Sequence, residues 1–144
     1  MAIRLITVCA ASLLLQAHPA VAQPAQTPEN AQKFLSMYLP TNFSLVYKGK
    51  AMKMRRASPV TWSQEFCTTE FKRVTEDSLI QDAGISWLSV IEVRHVSNSA
   101  IVVVTDTSHF HQTFDFQSPD LAARAAFAME FLRQHCDPAA ETGF

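Results

Sequence analysis

Residues 86–116 read SWLSVIEVRHVSNSAIVVVTDTSHFHQTFDF. Three runs in this stretch are rich in β-branched and aromatic side chains: Trp87 to Val96, Ala100 to Asp106 and His109 to Phe116. Such side chains suit the pleated, half-buried surface of a sheet. The spacers Ser97-Asn98-Ser99 and Thr107-Ser108 carry turn chemistry, so the stretch predicts an antiparallel meander.

Its register can be set by parity. Val96 opposite Ala100 puts Val93 opposite Val103, and Asp106 opposite His109 puts Ile101 opposite Phe114. Side chains alternate between faces. One face then collects Trp87, Ile91, Val93, Ile101, Val103, Phe110, Phe114 and Phe116 as the expected core. The other collects Glu92, Arg94, Asp106, His109, His111, Thr113 and Asp115, with Val90, Val102 and Val104 among them.

Working outward, Ser118-Pro119-Asp120 is a helix start: a capping hydroxyl, a proline at the first helical position and an acid in the first turn. Leu121, Ala125, Ala128, Leu132 and Cys136 continue it as one stripe, widened by Ala122 and Met129, until Asp137-Pro138. Thr27-Pro28-Glu29 repeats the formula ahead of Ala31, Phe34, Leu35 and Tyr38, and Pro40 ends that helix. Phe43, Leu45 and Tyr47 alternate with polar neighbours as a strand, and residues 60–74 hold one or two more. Residues 48–56 resist assignment, and 76–84 read as a connection or a short helical turn.

Consecutive strands between two helices argue an α+β fold rather than a parallel α/β sheet. A curved antiparallel sheet closed by the last helix, similar to the pleckstrin-homology-like architecture, fits best. A helix-grip or cystatin-like sheet is the alternative.

The start of the chain has the form of a secretory signal: Arg4, an apolar run from Leu5 to Leu15, and Ala20-Val21-Ala22 before Gln23. The run is too short to span a bilayer, which takes about 20 apolar residues. The expected organisation is a signal over 1–22, one domain over 23–138 and a tail over 139–144. After cleavage there is no transmembrane segment. Removing Arg4 from 12 basic residues leaves 11 against 13 acidic ones, a balance that argues against nucleic acid as partner. Loss of Cys9 leaves Cys67 and Cys136, an even pair expected to form a disulfide in an oxidising periplasmic or secreted setting.

Two clusters could carry chemistry. His109 and His111 at i and i+2 of a strand would point the same way and could share a metal ion, with Glu92 or Asp106 as a further ligand. Two exposed polar residues on the wet face of a sheet are the simpler reading. Lys48, Lys50, Lys53, Arg55 and Arg56 place five cations in nine residues without an acid. They suit an anionic ligand, a lipid headgroup or an acidic protein. Equally, lysines can protect a sheet edge from pairing. No glycine-rich phosphate loop, G-x-S-x-G or H-E-x-x-H occurs, and no cofactor is expected.

The run from Leu121 to Asp137, the ending Thr142-Gly143-Phe144 and Ile85-Ser86-Trp87 resemble small exported proteins of proteobacteria. That resemblance covers about the last 60 residues and implies a cell-envelope setting; it implies no activity and no site residue. The expected function is a non-enzymatic binding or interaction domain, its partner an envelope protein or an anionic ligand. It would act through the outer sheet face (Val90, Val102, Val104 and the histidines) or the basic patch. A hydrophobic-ligand site inside the curved sheet and a metal-binding protein are the alternatives.

Overall fold

The computed structural model describes residues 26–139; the expected signal (1–22) and all but the first residue of the tail lie outside them. Helix α1 (Pro28–Tyr38) starts where the capping formula places it, with Thr27 Oγ1 accepting from Asn30 N–H at 3.2 Å. Strands β1 (Asn42–Tyr47) and β2 (Lys50–Arg56) form a hairpin. The short β3 (Thr61–Ser63), then β4 (Thr68–Val74) and β5 (Ile80–Ser86), follow. A 3-10 turn (Trp87–Ser89) leads into β6 (Val90–His95), β7 (Ile101–Asp106) and β8 (His111–Asp115). Helix α2 (Pro119–His135) closes the fold, capped by Ser118 Oγ, which accepts from Leu121 N–H.

The strands run β3-β4-β2-β1-β8-β7-β6, and β5 also pairs with β4. Arg55 and Arg56 pair with Val74 and Arg73, while Thr61 to Ser63 pair with Glu70 to Thr68. Strands β2 and β3 therefore lie in succession along one edge of β4, separated by the bulged segment 57–60. Ala57 N–H donates to Lys72 O, and Lys72 N–H to Ser58 Oγ, which holds this corner. A bulge of this kind bends a strand and turns the sheet. The result is a curled antiparallel sheet with a helix at each end of the chain, as the α+β reading requires.

The interior is filled by Phe43, Phe71, Ile85, Trp87, Val102, Val104 and Phe114, with the ring of Phe43 against both Phe71 (5.6 Å) and Phe114 (5.5 Å). Helix α2 buries Ala122, Ala125, Ala128, Met129 and Leu132 against it. Alanines on that face let the helix axis approach closely. Cys67 and Cys136 are bonded, with Cα atoms 5.9 Å apart, and tie the start of β4 to the end of α2.

Two expectations are corrected. The meander register is one residue away from the parity assignment: Val93 pairs with Val104, Val102 with Phe114 and Val103 with Thr113. Each loop is one residue longer than its spacer suggested. Val96 N–H donates to Ile101 O, and Asp106 N–H to Phe110 O. Asn98 (φ +56°) and His109 (φ +58°) take left-handed backbone to close the two loops. Longer hairpin loops commonly end on such a residue. A one-residue slip exchanges faces, so Val102 and Val104 are core. Val90 keeps the Asp106 partner that the parity assignment gives it and is core too, beside the irregularity between Val90 and Glu92 that leaves Ile91 exposed. These valines therefore form no outer partner surface. Trp87, Phe114 and Phe116 remain inside as expected.

The second correction concerns residues 76–84, most of whose C-terminal half is strand β5, paired with β4 from Ile80–Val74 to Ser86–Thr68. Gly84 permits that pairing, because a Cβ there would collide with the carbonyl oxygen of Thr69. The unassigned stretch 48–56 is the hairpin turn and β2.

Candidate functional site

The hairpin turn Lys48-Gly49 has φ of +48° and +77°, the left-handed pair that a tight two-residue loop needs. It projects the tip of β1–β2 beside the β7–β8 loop. There Lys48, His109 and His111 line a cleft of about 410 Å³ together with Val46 and Tyr47. Tyr47 stacks on Phe110 at 4.1 Å, and Lys48 Nζ sits 5.2 Å from the Tyr47 ring, a cation held over an aromatic face. No carboxylate lines the cleft. Asp106, the nearest in sequence, spends its Oδ1 accepting from Ser108 N–H (2.8 Å) and Phe110 N–H (3.0 Å). The cleft gathers the Lys48 ammonium, two imidazoles and the Tyr47 ring.

The expected metal cluster takes a different form. His109 lies in the loop before β8, so it and His111 do not alternate along one strand. His111 Nδ1 is 3.0 Å from Thr105 Oγ1. Glu92 pairs with Thr105, which pairs with His111, so one strand separates Glu92 from the imidazole. Among the described residues no group of three His, Cys, Asp or Glu is placed to hold a metal ion.

The five-cation run separates into three. Lys48 and the exposed Lys50 mark the hairpin tip. Lys53 and Arg55 stand on the outer face opposite Ser44 and Asn42. Arg56 turns inward, donating from Nη1 to Ser58 O (2.8 Å) and from Nη2 to Leu39 O (3.1 Å). Sequence reading left out Arg73, which β4 places directly opposite Arg56. Only long-range pairing brings the two together, so no local pattern announces it.

A second concavity of about 420 Å³ runs between the helices, lined by Phe34, Phe127 and Phe131. Arg124 lies over the Phe34 ring at 5.2 Å. Trp87 and Phe114 line neither this groove nor the hairpin cleft; both are packed in the core. Among the described residues no helix is long and apolar enough to cross a membrane.

The chain matches no protein-family model and no curated protein. Among solved structures it is similar to the PH domain from TgAPH, at 14% identity and a TM-score of 0.50, over 74% of this chain and 88% of that one. The curled antiparallel sheet and terminal helix described above are therefore a pleckstrin-homology-like fold.

Proposed function

We propose that this protein is an exported, non-enzymatic binding domain of the bacterial cell envelope, taking an anionic ligand in the cleft between the β1–β2 and β7–β8 loops. The observation that carries the reading is the convergence of Lys48, His109 and His111 on a cleft without a carboxylate. Lys50, on the far side of the turn, adds to the same positive field. A cleft lined by one sign of charge concentrates counter-ions of the other. The Tyr47 ring that lines it is braced from behind by stacking on Phe110. Export is supported by the signal-like leader and by the disulfide, which persists in oxidising compartments.

The test is retention on phosphatidylglycerol vesicles compared with phosphatidylcholine. The expected result is salt-sensitive retention that Lys48→Glu with Lys50→Glu abolishes. Equal retention on both vesicles, or retention untouched by the double substitution, rejects the cleft.

A further inference from the structure

At the other end of β2, six residues and roughly 20 Å from Lys50, Arg56 and Arg73 are cross-strand partners. Paired residues share a face, with Cβ atoms about 5 Å apart, and like charges so placed repel. No carboxylate answers them. Among the described residues the ion pairs are Lys72–Asp82 and Glu130–Arg133, and neither includes these arginines. Their acceptors are all neutral: Ser58 O and Leu39 O for Arg56, and Gln81 Oε1, 3.1 Å from Nη2, for Arg73. Both Nε atoms are buried without a hydrogen-bond partner. One orphaned guanidinium proton is a local cost. Two, on facing arginines of one cross-strand row, share a remedy.

We propose that Arg56 and Arg73 together hold an oxyanion: inorganic phosphate or the phosphoryl group of a larger ligand. Guanidinium groups present planar forks of donors that match the oxygens of such a group, and a negative charge between them turns repulsion into attraction. Access is built in. Arg56 lines a cavity of about 430 Å³ with Arg55, Thr41 and Ser58, open to solvent and free of acids. Arg55, exposed on the outer face, also lines this cavity. On the opposite side Arg56 borders a cavity of about 440 Å³ that also contains Asp115, which forms no ion pair with it. The site does not depend on the hairpin cleft, since neither Lys48 nor His109 lines it.

The experiment uses the disulfide-bonded chain and inorganic phosphate, with chloride at matched ionic strength as reference. Phosphate is expected to move the Nε–H resonances of Arg56 and Arg73 in nitrogen-15 spectra and to raise the unfolding temperature. Arg73→Leu is expected to weaken phosphate binding about tenfold or more, while Lys48→Glu with Lys50→Glu leaves it unchanged. Phosphate that moves neither resonance, or that stabilises Arg73→Leu as much as the parent chain, overturns the site. A response lost in the hairpin variant and kept in Arg73→Leu also overturns it. Phosphatidylglycerol vesicles identify the source: retention lost in Arg73→Leu assigns a lipid phosphate, and a phosphate response without such retention assigns a free anion. The resonance shifts read these two arginines alone, so failure here and failure of the hairpin cleft are separate results.

Discussion

The indole Nε1–H of Trp87 donates to Thr69 Oγ1 at 2.9 Å, with both side chains fully enclosed. Thr69 passes the chain on, donating its hydroxyl proton to Gln32 Oε1 at 2.7 Å, and Gln32 Nε2 donates to Thr61 O at 3.4 Å. Four elements are joined by this relay: α1, β3, β4 and the 3-10 turn. It is the reason a glutamine sits on the buried face of α1.

Thr69→Val keeps the shape of the side chain and removes its oxygen. Trp87 Nε1 and Gln32 Oε1 are then buried without partners. The expected loss is about 2 to 3 kcal/mol, since each orphaned group costs about 1 to 3 kcal/mol less whatever relaxation recovers. Urea unfolding measures it; a loss below about 0.5 kcal/mol would show that the relay is not closed in solution.

Cys67→Ala with Cys136→Ala opens a link across 69 residues. The chain-entropy model gives about 4 kcal/mol for a loop of that length. The expected outcome is a lower midpoint in urea for the double variant, matched by the parent chain under reducing conditions. Equal midpoints with and without reductant would contradict the bond.

His109 holds a left-handed backbone that a residue with a Cβ adopts at a cost of roughly 1 to 2 kcal/mol. His109→Gly is therefore expected to raise stability by about 1 kcal/mol while weakening the anion response of the hairpin cleft. Opposite signs in calorimetry and in vesicle retention support a residue kept for binding; a stability loss contradicts the strain.

Arg133 donates from Nε and Nη2 to the two oxygens of Glu130, at 2.8 and 2.6 Å. These bonds hold the Glu130 carboxyl below its ordinary value, against a smaller opposing effect of burial. A carboxyl with a lowered folded-state pKa stabilises the fold above its unfolded value, and that contribution fades as pH falls through the folded one. With both side chains near a third exposed, the effect stays below about 1 kcal/mol. Glu130→Gln is expected to be less stable than the parent at neutral pH and to converge with it in acid. A constant gap across the acid range would assign the loss to packing.

How legible the fold was varies by element. Both helices were readable to within a residue, because a capping hydroxyl, a proline and an acid act on their own turn. The meander was readable as three strands, yet its faces were inverted on β7. Two loops close through Asn98 and His109, and nothing in either residue type obliges the left-handed conformation that adds a position to each loop. Strand β5 was hidden because Gln81 and Asp82 are polar and its apolar side chains flank them, while the contact requiring Gly84 lies on another strand. Of the hairpin cleft, Lys48, His109 and His111 were visible as candidates, in separate clusters. Their meeting depends on β1 lying beside β8.

From its sequence alone this chain declares two capped helices, an antiparallel β region, a cysteine pair and a run of cations, since each of these is written in neighbouring residues. Strand register, the burial of Val102 and Val104, and the opposition of Arg56 to Arg73 were settled only in three dimensions. Those depend on loop lengths and on pairings between distant strands, where a single residue of offset changes which side chains meet.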